Sequence, residues 1–154
     1  MKTVMGCCPV SSRLITIRLR AALFNITIVQ AYASTSDYDD SEIEEFYDQL
    51  QNVIDQTSKD ILVVHGDLHT KVGKDACENW QGVCGLLCND DTNQGGLRLQ
   101  QFATFNDLVL ANTFGHQKAS KRWTWHSPNG QHYNQIDYFL VRKRFPPGVN
   151  SART

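Results

Sequence analysis

Apolar positions along the chain switch between two periods. Leu14 to Leu19 and Phe24 to Tyr32 alternate: Phe24, Ile26 and Ile28 face one way, Asn25 and Thr27 the other. That pattern predicts two half-buried strands. Arg20-Ala21-Ala22-Leu23 joins them as a hairpin loop, without an Asn-Gly type of turn signal. After the polar, turn-forming stretch Ala33 to Asp40, the period changes. Ile43, Phe46, Tyr47, Leu50, Val53 and Ile54 recur at helical spacing. Ser41, with Glu44 three residues on, fits a capping box at the start of that helix. The early acids Glu42, Glu44, Glu45 and Asp48 complement its positive end. Ile61-Leu62-Val63-Val64 is a continuous apolar run that closes on His65-Gly66-Asp67-Leu68-His69. It predicts a fully buried strand, with the glycine allowing a turn that presents Asp67 into a cleft.

Thr70 to Gly96 is rich in Gly, Asn, Asp and Cys and has no clear period, which predicts a long surface loop. A second helix is predicted from Gly96 to Leu108, burying Leu97, Phe102, Phe105 and Leu108. Val109 to Thr113 reads as a strand. Arg122 to His126 and Gln135 to Val141 flank the turn Ser127-Pro128-Asn129-Gly130, so they are expected to pair as a hairpin. Pro146-Pro147-Gly148 ends the structured part, giving one domain over 1–145 and a tail over 146–154. The order β-β-α-β-loop-α-β-β-β is mixed α/β of the α+β type. Neither G-x-G-x-x-G nor a P-loop is present.

Composition changes this picture little. A chain of 154 residues, 41% hydrophobic, suits one domain with a real core. Fifteen basic residues against 16 acidic give a net charge of -1, so no global basic field marks a nucleic-acid binder. A local stripe still stands out in the C-terminal third: Arg98, Lys118, Lys121, Arg122, Arg142, Lys143, Arg144 and Arg153. The five cysteines read as reduced thiols. Cys77, Cys84 and Cys88 are neither spaced as C-x2-C nor followed by a suitable ligand couple, which argues against zinc. Met1 to Arg13 lacks the apolar region of a signal peptide, and Ala21 to Ala33 is too short to span a bilayer. The expectation is an intracellular protein, cytoplasmic or nuclear, with no membrane association.

A second acid follows in a strand-like run, Asn134-Gln135-Ile136-Asp137-Tyr138-Phe139-Leu140. An inward aspartate on a buried strand needs a partner. Two acids carried on strands into one cleft suggest a divalent-metal or general acid/base site. Four segments now stand in order: Gln30-Ala31-Tyr32-Ala33, Gly66-Asp67-Leu68-His69, Trp123-Thr124-Trp125 and Gln135-Ile136-Asp137-Tyr138. Together they resemble the endonuclease/exonuclease/phosphatase family, and within it the endonuclease domain of non-LTR retrotransposons.

The resemblance implies a two-sheet β-sandwich flanked by helices, incomplete relative to the family. It implies phosphodiester cleavage with Mg²⁺ or Mn²⁺, and DNA as partner. Asp67 would orient or deprotonate the attacking water, Tyr32 would contact the phosphate, and Asp137 would pair with a histidine further along. His69 stands where the family has asparagine; an imidazole can donate one hydrogen bond, or join Asp67 in holding the metal. Arg122, Trp123, Thr124, Trp125 and Asn134 match a surface hairpin that meets DNA, with the tryptophans either stacking on bases or buried as core. The family's metal-binding glutamate and its Ser-Asp-His segment have no match in the chain. Two readings therefore stay open: a metal-dependent DNA endonuclease, or a transposon-derived remnant that binds nucleic acid or protein without turnover.

Overall fold

Strand alternation fixes a six-stranded sheet with one face toward helices. The computed structural model describes residues 3–33, 39–80, 82–114 and 122–144. Its strands are β1 (Val4–Pro9), β2 (Leu14–Leu19), β3 (Ile26–Tyr32), β4 (Ile61–Asp67), β5 (Leu108–Leu110), β6 (Trp125–His126), β7 (Tyr133–Asn134) and β8 (Asp137–Arg142). Across the large sheet the order is β1-β2-β3-β4-β8-β5, and β6-β7 form a separate two-stranded ribbon. Only β3 and β4 run parallel, joined by the crossover helix α1 (Asp40–Gln56); the other pairs are antiparallel. The mixed α/β class is as the sequence predicts.

Inward residues of β3, β4 and β8 (Val29, Ala31, Leu62, Val64, Tyr138, Leu140) meet Phe46, Leu50, Val53 and Ile54 of α1 and Leu99 and Ala103 of α3 (Gln94–Phe105) in one core. Each such large side chain contributes about 1.5–3 kcal/mol on burial. The opposite face is less covered: Ile15 and Ile17 stay 39% and 38% exposed, and Ile28, Val63 and Phe139 are half-buried beside them.

Several sequence expectations need correction. Val4–Pro9 is a further edge strand, exposed along its length and therefore silent in the apolar pattern. The capping box does not form. α1 starts at Asp40 after the N-cap Asp39, so Ser41 already lies in the first turn and donates to the Asp39 carboxylate at 3.0 Å. On α3 the buried face is Gly96, Leu99, Gln100 and Ala103, while Leu97 and Phe105 lie outside at 44% and 83% exposure. The helix approaches on its small residues: a Cβ at Gly96 would meet the Lys71 carbonyl. Leu108 is buried, but in β5. The strand expected over Val109 to Thr113 ends at Leu110 and becomes a 3-10 turn over Ala111–Thr113. The segment after Thr70 is more than a surface loop. It carries α2 (Lys74–Asn79), buries Val72 and Val83, and holds a disulfide between Cys77 and Cys84, so not all five cysteines are thiols. The expected hairpin shrinks to β6 and β7; β8 leaves it and inserts between β4 and β5.

The basic stripe also disperses. Arg142 donates to the carbonyls of Ile54 and Thr57 at 2.9 and 3.3 Å and so caps the C-terminal end of α1, while Arg144 reaches the carbonyls of Ser58 and Asp60 in the connection to β4. Arg98 pairs with Asp40 at 3.6 Å. Lys118, Lys121, Arg153 and the 146–154 tail lie outside the described residues.

Candidate active site

Register brings the predicted acids together. Tyr32 at the end of β3 pairs with Asp67 at the end of β4, and Asp67 lies directly opposite Asp137 at the start of β8. Directly paired residues project to the same face of a sheet. Tyr32, Asp67 and Asp137 therefore form a row across three adjacent strands, on the face away from the helices. Gly66 makes the approach possible. Its φ is 143°, and a Cβ there would run into the Ala31 carbonyl of β3.

His69 folds back over the row. Its backbone takes a positive φ of 48°, and its N–H donates to Asp67 Oδ1 at 2.9 Å. Its ring stands edge-on to Tyr32, with centroids 5.1 Å apart, and Nε2 lies 3.5 Å from Asp67 Oδ2. No hydrogen bond satisfies that buried nitrogen. Burial raises the Asp67 carboxyl above its ordinary range; the His69 N–H and ring oppose the rise, and the Asp137 charge adds to it.

Residues that the sequence did not single out hold the row in place. Asn112, 2% exposed, donates to the Asp137 carbonyl at 2.9 Å and accepts from the Phe139 N–H at 3.0 Å. Its amide thus extends β5 alongside β8. Asn89 brackets Gln135 in the same way, at 2.8 and 2.9 Å. Polarity directly after an apolar strand was the only available signal for Asn112. Thr124, predicted at the DNA hairpin, accepts from the Ile136 and Asp137 N–H groups at 3.1 and 3.2 Å and so positions Asp137.

The rest of the hairpin stays outward. Trp123, Trp125 and Tyr133 are 43%, 42% and 47% exposed, so neither tryptophan is core. Trp123 packs on Tyr133 with centroids 4.9 Å apart. A shallow hollow beside the row is lined by His65, Gly66, Trp123, Thr124, Asp137 and Phe139. Asn134 accepts the Thr124 N–H through its carbonyl at 3.0 Å, and Arg122 makes a long 3.4 Å contact to the Cys88 carbonyl.

No family model matches the chain. It is 36% identical to craniofacial development protein 2 of Bos taurus over 152 residues, which is 98% of this chain and 25% of the relative. The corresponding protein of Tragulus javanicus is also 36% identical, with 26% of its length covered. Over nearly its whole length the chain is similar to craniofacial development protein 2. It spans about a quarter of the length of these curated relatives. Among solved structures it is similar to the Neisseria 3' phosphatase NExo bound to a product DNA hairpin, with a TM-score of 0.61 at 15% identity, covering 88% of this chain and 54% of that one. The endonuclease domain of TRAS1, a telomere-specific non-LTR retrotransposon, gives a TM-score of 0.56 at 16% identity over 86% of this chain and 51% of that one. These likenesses show that the chain has the endonuclease/exonuclease/phosphatase fold.

Whether the site suits a divalent ion can be judged from its donors. Mg²⁺ is commonly held by one or two carboxylates, with water and substrate phosphate completing its shell. Asp67 and Asp137, on directly opposite positions of β4 and β8, match that demand. A nitrogen donor such as His69 Nε2 suits Mn²⁺ better than Mg²⁺. The site is not a cage of three protein ligands. Among the described residues, only Cys77, Cys84 and Cys88 form a group of three or more ligand-type side chains close enough to share an ion. No helix among those residues is long and apolar enough to cross a membrane.

Proposed function

We propose that the row of Tyr32, Asp67 and Asp137 is the reaction face of a metal-dependent phosphodiester hydrolase of the DNA endonuclease type. The observation that carries this reading is the register of three adjacent strands, which aligns a phenol and two carboxylates on one face. Asp67 is the base: partly desolvated and facing another acid, it gains by accepting a proton from a water as the water oxygen bonds to phosphorus. The Tyr32 hydroxyl, at the exposed end of the row, donates to a non-bridging oxygen. His69 holds Asp67 through its N–H and offers its ring nitrogen to the same phosphate or ion. Asp137, fixed by Asn112 and Thr124, orients the polar end of the site. A divalent ion beside the carboxylates supplies neutralisation of the charge that develops on phosphoryl and leaving oxygens. DNA as substrate is supported by the exposed aromatic ribbon, since stacking a base on such a side chain contributes about 1–3 kcal/mol, and by the DNA hairpin bound to NExo.

The test is nicking of supercoiled plasmid with Mg²⁺ or Mn²⁺, comparing the natural chain with Asp67→Ala. Nicking that needs metal and falls about a hundredfold or more in the variant is expected. Equal background in both proteins sinks the hydrolase. One observation favours a second reading, a nucleic-acid-binding module without turnover: the described residues place just two carboxylates at the row, with His69 beside them. That reading expects a salt-sensitive gel shift and no nicking.

A further inference from the structure

The segment between β4 and α3 gathers three sulfurs that the reaction face does not use. Cys77 comes from α2, Cys84 follows the turn after it, and Cys88 lies in the irregular segment beyond. All three are buried, at 5%, 5% and 7% exposure. Their sulfur atoms lie within 4.8 Å of one another. Cys77 and Cys84 are joined as a disulfide, and Cys88 Sγ stands 3.1 Å from Cys77 Sγ. The turn is anchored from outside: the Gly85 N–H donates to Thr113 Oγ1 at 2.8 Å.

Gln100 of α3 closes the cluster. It is 0% exposed, and its amide nitrogen lies 3.2 Å from Cys84 Sγ and 3.8 Å from Cys77 Sγ. Its Oε1 has no hydrogen-bond partner. A buried acceptor left unpaired costs about 1–3 kcal/mol. The two ends of a carboxamide exchange by a half-turn, and a half-turn here aims Oε1 at the sulfurs of Cys84 and Cys77.

We propose that, once the disulfide is reduced, Cys77, Cys84 and Cys88 bind one borderline-soft divalent ion, Zn²⁺ being the reference, with the Gln100 carboxamide oxygen as fourth ligand. A tetrahedral zinc with Zn–S bonds of about 2.3 Å spaces its sulfurs roughly 3.8 Å apart. That spacing falls between the 3.1 Å contact and the 4.8 Å limit already present. The chemistry balances in two steps. Two molecules of an external thiol reduce the disulfide to two cysteine thiols and leave as their own disulfide. The ion then displaces one proton from each of three thiols, giving a centre of net charge -1. Lys74 and Arg122 both act on Cys88 as nearby positive charge and offset it. Without an ion, burial pushes the Cys88 thiol up to about 12, so a bare thiolate is not formed at neutral pH. Sequence spacing argued against this site because Cys77, Cys84 and Cys88 do not fit a paired-cysteine motif; the fold supplies the missing donor from α3.

Such a centre would pin the segment that carries Asn89 and thereby the start of β8. It is independent of the hydrolase reading. The reduced chain is titrated with Co²⁺ as a spectroscopic probe. One ion per chain is expected, with a thiolate-to-cobalt charge-transfer band and tetrahedral d–d bands that Zn²⁺ abolishes by displacement. On the unaltered chain, Zn²⁺ is expected to protect Cys77, Cys84 and Cys88 from alkylation, while the exposed Cys7 and Cys8 still react, as read by peptide mapping. Because this measurement needs no variant, it does not depend on a substituted chain folding. The Cys84→Ser/Cys88→Ser double variant should lose the band, Cys7→Ser/Cys8→Ser should keep it, and Gln100→Leu should weaken binding by about tenfold or more, since even outer-shell partners matter that much. Equal alkylation of all five cysteines with Zn²⁺ present overturns the proposal, as does a band that survives in Cys84→Ser/Cys88→Ser.

Discussion

The two ends of β4 carry aspartates in opposite electrostatic circumstances. Asp60, just before the strand, is 2% exposed. Arg18 of β2 meets its carboxylate at 2.8 and 2.7 Å, and the Thr27 hydroxyl of β3 donates at 2.6 Å. Burial alone would raise Asp60, but these hydrogen bonds and the charges of Arg18 and Arg142 outweigh it and hold the carboxyl below its ordinary range. Asp67, at the other end, faces Asp137 and lies above its ordinary range. Asp60 finds its counter-charge inside the chain and works as a staple across β2, β3 and β4. Asp67 has a neighbouring acid instead, and its charged form is the costly one. A strand this well secured at one end can carry two facing acids at the other, with His69 only partly offsetting them.

Three perturbations break or sharpen that contrast. Gly66→Ala should do most damage, about 4 kcal/mol or more by denaturant melting. The new Cβ meets the Ala31 backbone at a φ that side chains avoid, forcing β3 and β4 apart beside Asp67. A variant that melts like the natural chain would mean that the strands do not pair as closely as described. Asp60→Ala comes next, at about 3 kcal/mol, because it strips Arg18 and leaves the buried Thr27 hydroxyl without its acceptor. A loss under about 0.5 kcal/mol would remove Asp60 from the role of staple.

The smallest effect has the opposite sign. Asp67→Asn should stabilise the chain slightly at neutral pH, because it removes the carboxyl whose charged form burial and Asp137 disfavour, while abolishing any nicking. The pH profile separates the two acids. A carboxyl raised on folding contributes stability below its unfolded pKa of about 3.9 and loses it as pH climbs through the folded value. A lowered one contributes above about 3.9 and loses it as pH falls through the folded value. The decline above pH 4 should thus vanish in Asp67→Asn, and the acid-side loss should shrink in Asp60→Ala. Melting curves across pH 2–8 would show both; an unchanged upper limb in Asp67→Asn would deny that Asp67 is raised.

Much of the fold was legible because burial imposes a period. β2, β3, α1 and β4 lie within a few residues of where apolar spacing put them. Tyr32, Asp67 and Asp137 were singled out as motif residues, and the structure places them at the ends of β3 and β4 and the start of β8. Asn112 and Asn89 were not, because they act by completing backbone ladders that form only after distant strands meet. α3 was found but turned the wrong way. Hydrophobic size favoured Leu97 and Phe105, whereas close approach favoured the glycine and alanine face.

Along the chain, then, the sequence determined the elements that hide one face from water, β2, β3, α1 and β4 among them, since such faces repeat every two or 3.6 residues; exposed β1 and short α2 left no such mark. The tertiary structure decided which strands become neighbours, and with that everything that depends on cross-strand partners. β8 was free to pair back on its own hairpin; inserted between β4 and β5, it sets Asp137 against Asp67. Other long-range contacts separated the basic residues, gathered three cysteines near Gln100, and gave Asp60 its arginine. A local pattern carries no record of those pairings, because their energy arises only between residues that chain folding brings together from far apart.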